Sequence, residues 1–396
     1  MKILYAHDHF GAFAGAEANI LATANELARR GHSVGIVHGD ETGKGLEQWR
    51  ETFDTRFAIE DWAIDAVLDE FEPDVVYVHK LADIKLIEAF VSSGIPLVRM
   101  VHDHDLYCMR SYKYNYFTRR PCERALSAFC LFPCGGFLAR NHDGPSPVRW
   151  VSYSAKVKEL ELTRRFDRLI VGTRFMGEEL LRNGFDAGRI EIHAPAPAAL
   201  DTSSVSSFSD RNLIVYSGQI TRGKGVDVLL ESLAQVAFPF ECVIFGDGNH
   251  RAYCEKLCAR LELNDCVHFK GYVPPEEIHD CYREASVVVM SSIWPEPFGA
   301  AGLEGMRFGL PVVAFDAGGI KEWLTNNFNG FLVPWMDRAT FAARIEQLLR
   351  DKKLARGLGE RGRQLVAGTF SFVKYVDGLE TTFKRVAVKI EQPVIA

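Results

Sequence analysis

The sequence has no long apolar segment and no strong excess of either charge. Membrane-spanning helices need roughly 20 consecutive apolar residues, and no stretch of the 396-residue chain approaches that length. The formal net charge of −6 is too small to indicate nucleic-acid binding. The opening MKILYAHDHF is typical of a first strand rather than of a signal peptide. We therefore expect a cytoplasmic globular protein of about two domains.

Two common phosphate-binding fingerprints are also missing. The first Gly-rich loop, HFGAFAGAE, lacks the GxGxxG spacing of dinucleotide-binding proteins, which argues against a hydride-transfer enzyme. The second Gly-rich stretch, TRGKG, lacks the spacing of a P-loop. Small residues at Gly15 and Ala16 would still let the start of the first helix approach a phosphate or a sugar.

The alternation of apolar runs and helical stretches predicts an α/β protein with two Rossmann-like domains. Residues 1–195 show the pattern of a parallel sheet covered by helices. A Pro-, Ala- and Ser-rich stretch at 194–209 predicts a linker, after which the alternation restarts over 210–370. We expect the two sheets to face each other across a cleft. We also expect the helical segment within 371–396 to cross back to the first domain.

An insertion at about residues 103–150 interrupts the alternation and is rich in basic and aromatic residues. Residues 99–168 hold 13 Lys and Arg against 7 Asp and Glu, and aromatics concentrate in YCMRSYKYNYFTRR. This mixture suits an anionic acceptor or a membrane surface, so peripheral association with the inner face of the cell membrane is one expectation. A solvated basic loop is the alternative.

Four of the nine cysteines lie inside this insertion, in a span of 27 residues. Thiolates bind zinc and iron–sulfur clusters, and a metal would help a long loop with little apolar core to hold one shape. The intervals between these cysteines match no standard metal-binding spacing. We predict a structural zinc or iron–sulfur site, in preference to buried thiols or disulfides, with the following ligands: Cys108, Cys122, Cys130 and Cys134.

The stretch EPFGAAGLE follows a β-branched run and carries two carboxylates with small residues between them. Glu296 is predicted to lie in a strand-to-helix loop and Glu304 on the next helix, at the sheet edge where open α/β folds bind ligands. Amides at the start of that helix would bind phosphates and the carboxylates would bind hydroxyls, which favours a sugar nucleotide. An ordinary βα unit with a solvated helix face explains the two glutamates equally well.

Two more features are predicted at the carboxyl ends of strands. Arg222 and Lys224 stand among glycines directly after a strand, where they suit a diphosphate clamp. His102 ends the strand PLVRMVHD in the first domain, at the same edge as the first Gly-rich loop. A single histidine in that position is as often structural as functional.

In their order along the chain, these motifs resemble the retaining family 4 glycosyltransferases, which have the two-Rossmann-domain GT-B fold. The resemblance is carried by AGAE, RRGHSV, VHD, SGQITRGKGVDVLLESL, FGDGNH, VHFKGYVP, EPFGAAGLEGMRFGLPVVAFDAGGIKEW and NGFLVP. It implies transfer of a sugar, with retention at the anomeric carbon, from a UDP- or GDP-linked donor to a glycan or lipid-linked acceptor. It further implies a role in cell-surface polysaccharide or lipopolysaccharide assembly, and transfer that needs no metal.

The resemblance also assigns roles to individual residues around the donor sugar. Glu296 would contact the hydroxyls of the sugar, and His102 would lie against it. Glu304 would hold the ribose of the nucleotide. The backbone amides of Phe298 and Gly299 would bind the sugar and its phosphate.

For the diphosphate, the resemblance assigns Lys224 and the first Gly-rich loop. The family usually has Gly-Arg where this chain has Gly218 and Gln219. Glutamine cannot neutralise a diphosphate, so either Arg222 has taken over that role or donor affinity is lower.

Two other classes of function are consistent with the sequence. One is a nucleotide-sugar epimerase or a sugar phosphorylase on the same fold. The other is a non-catalytic sugar-nucleotide-binding subunit, for which Gln219 is the only support. Release of nucleotide diphosphate that depends on an acceptor would favour transfer over both.

Overall fold

The computed structural model describes residues 1–12, 15–140, 148–197 and 204–388. The chain divides into two compact units. The first unit comprises Met1–Ser111, Glu123–Ala198 and Phe372–Ala396, and the second comprises Tyr112–Cys122 and Ala199–Ser371. A short piece of the insertion therefore belongs to the second unit.

The first unit is built on a parallel sheet of seven strands. Up to residue 192, the elements of this unit are β1 (Lys2–Phe10), α1 (Gly15–Arg29), β2 (Ser33–Glu41), α2 (Leu46–Thr52), β3 (Thr55–Ala58), α3 (Ile64–Phe71), β4 (Val75–Val78), α4 (Ile84–Ser92), β5 (Leu97–Val101), β6 (Leu138–Arg140), β7 (Val148–Trp150), α5 (Tyr153–Thr163), β8 (Arg168–Val171), α6 (Arg174–Arg182) and β9 (Ile190–Ile192). The strand order is β3-β2-β1-β4-β5-β8-β9, and β6 and β7 form a separate antiparallel pair.

The second unit is built on a parallel sheet of six strands in the order β12-β11-β10-β13-β14-β15. Its elements are β10 (Leu213–Ser217), α7 (Val226–Leu233), β11 (Glu241–Phe245), α8 (Arg251–Arg260), β12 (Val267–Gly271), α9 (Pro275–Tyr282), β13 (Val287–Met290), α10 (Ala300–Arg307), β14 (Val312–Phe315), β15 (Gly330–Val333), α11 (Arg338–Arg350) and α12 (Lys352–Gly368). Every residue of β13 and β14 is buried, which explains their unbroken apolar sequences.

The last helix, α13 (Phe372–Ala387), belongs to the first unit. Residues of β1 alternate between the two faces of the sheet, so Leu4 enters one apolar core while Ile3 and Tyr5 enter the other. The buried face of α13 completes the second of these cores with these side chains: Tyr375, Val376, Leu379, Phe383 and Val386.

The predicted α/β architecture with two Rossmann-like domains is confirmed. Of the predicted linker, residues 198–203 lie outside the described part of the chain. Residues 204–209 are packed on the second unit, where Phe208 is buried and the Ser206 hydroxyl donates to the carbonyl of Ala285 at 2.6 Å. Across the described residues, every helix is too short or too polar to cross a membrane.

Candidate active site

The candidate site of the second unit lies where the strand order changes direction. The chain runs from β10 to β11 on one side and later returns to place β13 on the other side of β10. The loops that follow β10 and β13 therefore leave the carboxyl edge of the sheet side by side. Open α/β sheets bind ligands at such a point.

These two loops are tied together by hydrogen bonds. The backbone amides of Ile293 and Trp294 donate to the carbonyl of Gly223 at 2.9 and 3.1 Å. The hydroxyl of Ser291 donates to the carbonyl of Lys224 at 3.0 Å. The cation loop, residues 222–225, is therefore held against the loop that carries Glu296.

Lys224 and Glu296, which sequence analysis places in one donor site, form an ion pair. Lys224 Nζ lies 2.7 Å from Glu296 Oε1, and the Ser292 hydroxyl donates to the same oxygen. Burial acts to raise the pKa of Glu296, but the charge of Lys224 and hydrogen bonds from Lys224, Ser292 and Trp294 outweigh it and lower the pKa overall. The Lys224 side chain is 23% exposed and Glu296 only 3%, so the cation can reach a ligand while the carboxylate stays ionised behind it.

Helix α10 begins at this loop with Gly299 as its N-cap. Gly299 has φ 85°, which only glycine adopts readily, and a Cβ there would lie 2.9 Å from Met290 Cε. Trp323 Nε1 donates to the carbonyl of Phe298 at 2.6 Å and fixes the approach to the helix. Within the described residues no side chain caps α10, so its first amides are left for an anionic group.

Glu304 lies on α10 and is half-buried. Burial raises the pKa of its carboxyl group, and the nearby charge of Arg307 offsets only part of that increase. The two glutamates of EPFGAAGLE thus differ in their environment. Glu296 is paired with a lysine that lowers its pKa, whereas burial dominates at Glu304 and raises its pKa.

Arg222 also lies on the cation loop, and its guanidinium contacts Tyr116. Its Nη1 donates to the carbonyl of Tyr116 at 2.6 Å, and its guanidinium lies 4.6 Å from the centroid of the Tyr116 ring. Gly218 donates its amide to the carbonyl of Phe245 at 3.1 Å, and Gln219 is exposed. The structure therefore brings Lys224 to Glu296 and holds Arg222 on the segment 112–122.

In the first unit, His102 follows β5 at the carboxyl edge of the sheet. Its Nε2 lies 2.7 Å from Nδ1 of His79, which follows the neighbouring strand β4. Burial, together with the charge of Lys80, lowers the pKa of His102 to about 3, and burial lowers the pKa of His79 well below its usual range. Both imidazoles are therefore neutral at physiological pH.

The first Gly-rich loop lies at the same edge of this sheet. Gly15 begins α1 with open space around it, and Ala16 follows. Behind them, the buried carboxylate of Glu17 lies 3.0 Å from His7 Nε2. Sequence analysis missed His7, Glu17 and His79, although a histidine ending an apolar strand, as at His79, repeats the pattern that identified His102.

The predicted zinc or iron–sulfur site is not supported. Among the described residues, no group of three or more His, Cys, Asp or Glu side chains is arranged to hold a metal ion. The four cysteines are divided between the units, because Cys122 belongs to the second and Cys108, Cys130 and Cys134 to the first. Cys122 and Cys130 are half-buried free thiols.

Comparison with known proteins identifies the family. A model described as Glycosyl transferases group 1 matches residues 201–365, and a model of Glycosyltransferase Family 4 matches residues 13–195. The chain belongs to the family 4-like glycosyltransferases. This glycosyltransferase is 23% identical over 265 residues to an uncharacterized glycosyltransferase of Methanocaldococcus jannaschii, covering 65% of this chain and 68% of that protein.

A second relative is the lipopolysaccharide core biosynthesis glycosyltransferase LpsE of Rhizobium meliloti. It is 30% identical over 173 residues, which cover 44% of this glycosyltransferase and half of LpsE. Among solved structures, Anabaena HepE in complex with UDP and glucose matches with a TM-score of 0.72 and 19% identity, covering 97% of this chain and 100% of that one. The GT-B fold that the sequence predicts is confirmed.

Proposed function

We propose that this protein transfers a sugar from a nucleotide diphosphate sugar to a glycan or lipid-linked acceptor, with retention at the anomeric carbon. The observation that carries the proposal is the Lys224–Glu296 pair beside the start of α10, where no side chain among the described residues caps the helix amides. This arrangement offers a cation and helix amides to a diphosphate and a carboxylate to sugar hydroxyls. The UDP bound to Anabaena HepE supports a UDP-linked donor.

In this proposal the protein acts by positioning and by charge stabilisation. Lys224 and the first amides of α10 stabilise the negative charge that develops on the departing diphosphate. Glu296 orients the donor sugar, and Glu304 holds the ribose. The acceptor hydroxyl attacks the anomeric carbon on the face that the diphosphate leaves, and the diphosphate takes the proton of that hydroxyl.

The donor is identified first by a thermal-shift comparison of UDP- and GDP-linked sugars. A preferred donor raises the midpoint of unfolding because it binds only the folded state. NMR of the product then gives its anomeric configuration, and an inverted product would contradict retention. If none of the donors bound, the proposed site would be wrong.

The acceptor class is tested by the release of nucleotide diphosphate. The similarity to LpsE supports a glycan of the cell surface as acceptor. We expect free diphosphate only when an oligosaccharide or lipid-linked acceptor is present. Release at the same rate without acceptor, or conversion of one donor sugar into another, would contradict transfer and favour a hydrolase or an epimerase.

We further propose that the insertion binds an anionic membrane surface. In the first unit it exposes 84% of Phe132 and 78% of Trp150, and the guanidinium of Arg124 lies 4.3 Å from the ring centroid of Phe129. Exposed aromatic rings with arginines suit the interface of an anionic bilayer. The protein should sediment with phosphatidylglycerol vesicles and stay in the supernatant with phosphatidylcholine vesicles. If a Phe132→Ser, Trp150→Ser variant sedimented with phosphatidylglycerol vesicles to the same extent, the proposed membrane surface would be wrong.

A further inference from the structure

A segment of the insertion, residues 112–122, forms a closed strap on the second unit. The amide of Asn115 donates to the carbonyl of Arg120 at 2.8 Å, and the amide of Cys122 donates to the carbonyl of Lys113 at 2.7 Å. Tyr114 is buried. These contacts give the strap a defined shape although it contains no helix and only an isolated bridge.

The strap covers the cation loop. Arg222 donates to the backbone carbonyl of Tyr116 and lies over its ring. Gly223 lies between two aromatic side chains, since a Cβ there would come within 3.1 Å of Tyr114 and 3.2 Å of Trp294. A larger residue at Gly223 would push the strap away from the loop.

A second anchor fixes the strap to α7, the helix that follows the cation loop. Arg119 Nη2 lies 2.5 Å from Asp227 Oδ2, and both side chains are largely buried. Asp227 lies in the first turn of α7 and is also 3.7 Å from His250 Nε2. Buried ion pairs with good geometry fix one arrangement, because breaking them leaves an uncompensated charge.

Together, the two anchors leave the cation loop little freedom. Arg222 is held by the strap, and Lys224 is held by Glu296. We propose that the strap is a positioning element of the donor site: Tyr116 and Arg119 fix the loop so that Lys224 faces the diphosphate. This inference rests on the proposed function, and it makes donor affinity depend on a segment of the insertion rather than on the second half of the chain alone.

The test compares two neighbouring arginines of the strap. Arg119→Leu removes the anchor to Asp227, whereas Arg120→Leu removes the same charge from an exposed position. Calorimetric titration with UDP should show about tenfold weaker binding for Arg119→Leu and little change for Arg120→Leu. Arg119→Lys should keep most of the affinity, because the positive charge that pairs with Asp227 remains.

Folding is controlled for by reversing the pair. Arg119→Leu leaves Asp227 buried without this cation, so the variant Arg119→Asp with Asp227→Arg restores a pair of opposite charges. We expect the reversed pair to recover UDP affinity to within about threefold of the natural protein. Failure of both this variant and Arg119→Lys to recover binding, with both still folded, would overturn the positioning role.

Amide hydrogen exchange separates this inference from the proposed function. In the protein without ligand, Arg119→Leu should speed the exchange of amides in residues 222–226, and Arg120→Leu should not. A natural protein that binds neither UDP nor GDP would overturn the proposed function, whereas the exchange result tests the strap by itself. Unchanged exchange together with unchanged UDP affinity in Arg119→Leu would overturn the strap.

Discussion

At the scale of single residues, the ionic state of Glu296 depends on Lys224. A carboxylate that is almost fully buried would be costly in its charged form without a nearby cation. The Lys224 ammonium at 2.7 Å and the Ser292 hydroxyl supply that compensation. A substitution at Lys224 alone therefore changes both the chemistry and the stability of the second unit, and the two effects need separate variants.

Substitutions at both ends of this pair distinguish catalysis from stability. Lys224→Met should lower the free energy of unfolding by about 3 kcal/mol, because it leaves the buried carboxylate unpaired. Adding Glu296→Gln should restore most of that loss. Turnover at saturating donor should fall by about 10²–10³-fold in Lys224→Met and should not recover in the double variant. Urea unfolding and steady-state kinetics measure the two quantities, and normal turnover in Lys224→Met would contradict the clamp assignment.

His79 determines which nitrogen of His102 carries the proton. Nε2 of His79 is buried without a hydrogen-bond partner among the described residues, so its proton is better placed on Nδ1. The Nδ1–H of His79 then donates a hydrogen bond to Nε2 of His102, with 2.7 Å between the two nitrogens. His102 therefore carries its own proton on Nδ1. The pair presents a neutral, oriented imidazole N–H at the edge of the first sheet.

The lowered pKa of His102 predicts a loss of stability in mild acid. Below pH 6.5 the unfolded histidine binds a proton, whereas the folded one does so only near its pKa of about 3. Unfolding therefore takes up a proton, and the free energy of unfolding falls as pH decreases, by about 1.4 kcal/mol per pH unit for one such group. Urea unfolding between pH 6 and pH 5 measures the slope. We expect the slope of the free energy of unfolding against pH to be smaller in His102→Gln by about 1.4 kcal/mol per pH unit. The same slope in the variant and the natural protein would contradict a neutral His102.

At the scale of elements, regular segments could be predicted and contacts between distant segments could not. The β-branched run before EPFGAAGLE predicts a strand that leads into a helix carrying Glu304, and β13 and α10 are these elements. Helix α10 begins at Ala300, because Gly299 adopts a left-handed cap. The strap could not be predicted, because Arg222 and Tyr116 are separated by 106 positions and no local pattern indicates their contact. The cysteine prediction is not supported for a similar reason, since spacing alone does not show which cysteines meet.

The cap at the start of α10 can be tested against a matched glycine. Gly299→Ala places a side chain at φ 85° with Met290 Cε 2.9 Å away, whereas Gly94→Ala has φ 76° and no atom within 4 Å. Both substitutions incur the conformational cost of about 1 kcal/mol. Gly299→Ala should lose about 1 kcal/mol more and raise the KM for the donor, because the first amides of α10 shift. Equal stability and equal KM in the two variants would contradict a packing role for Gly299.

At the scale of the whole molecule, each unit has its own sheet with buried apolar side chains packed on it. The restart of the strand–helix alternation after residue 209 predicts this division. The sequence does not by itself reveal that α13 packs on the sheet of the first unit, because an amphipathic helix fits either unit. The buried residues of α13 that join Ile3 and Tyr5 settle its place within the first unit.

Matched core substitutions should therefore weaken one unit at a time. Phe383→Ala in α13 and Leu348→Ala in α11 each remove a fully buried side chain, which costs about 2–5 kcal/mol. We expect Phe383→Ala to speed amide hydrogen exchange in β4 of the first unit while β13 of the second stays protected, and Leu348→Ala to do the reverse. UDP at about 100 times its dissociation constant should then slow exchange in β13 by the equivalent of about 2.7 kcal/mol and leave β4 unchanged. If either substitution accelerated exchange equally in both strands, the expectation that the two units unfold separately would be wrong.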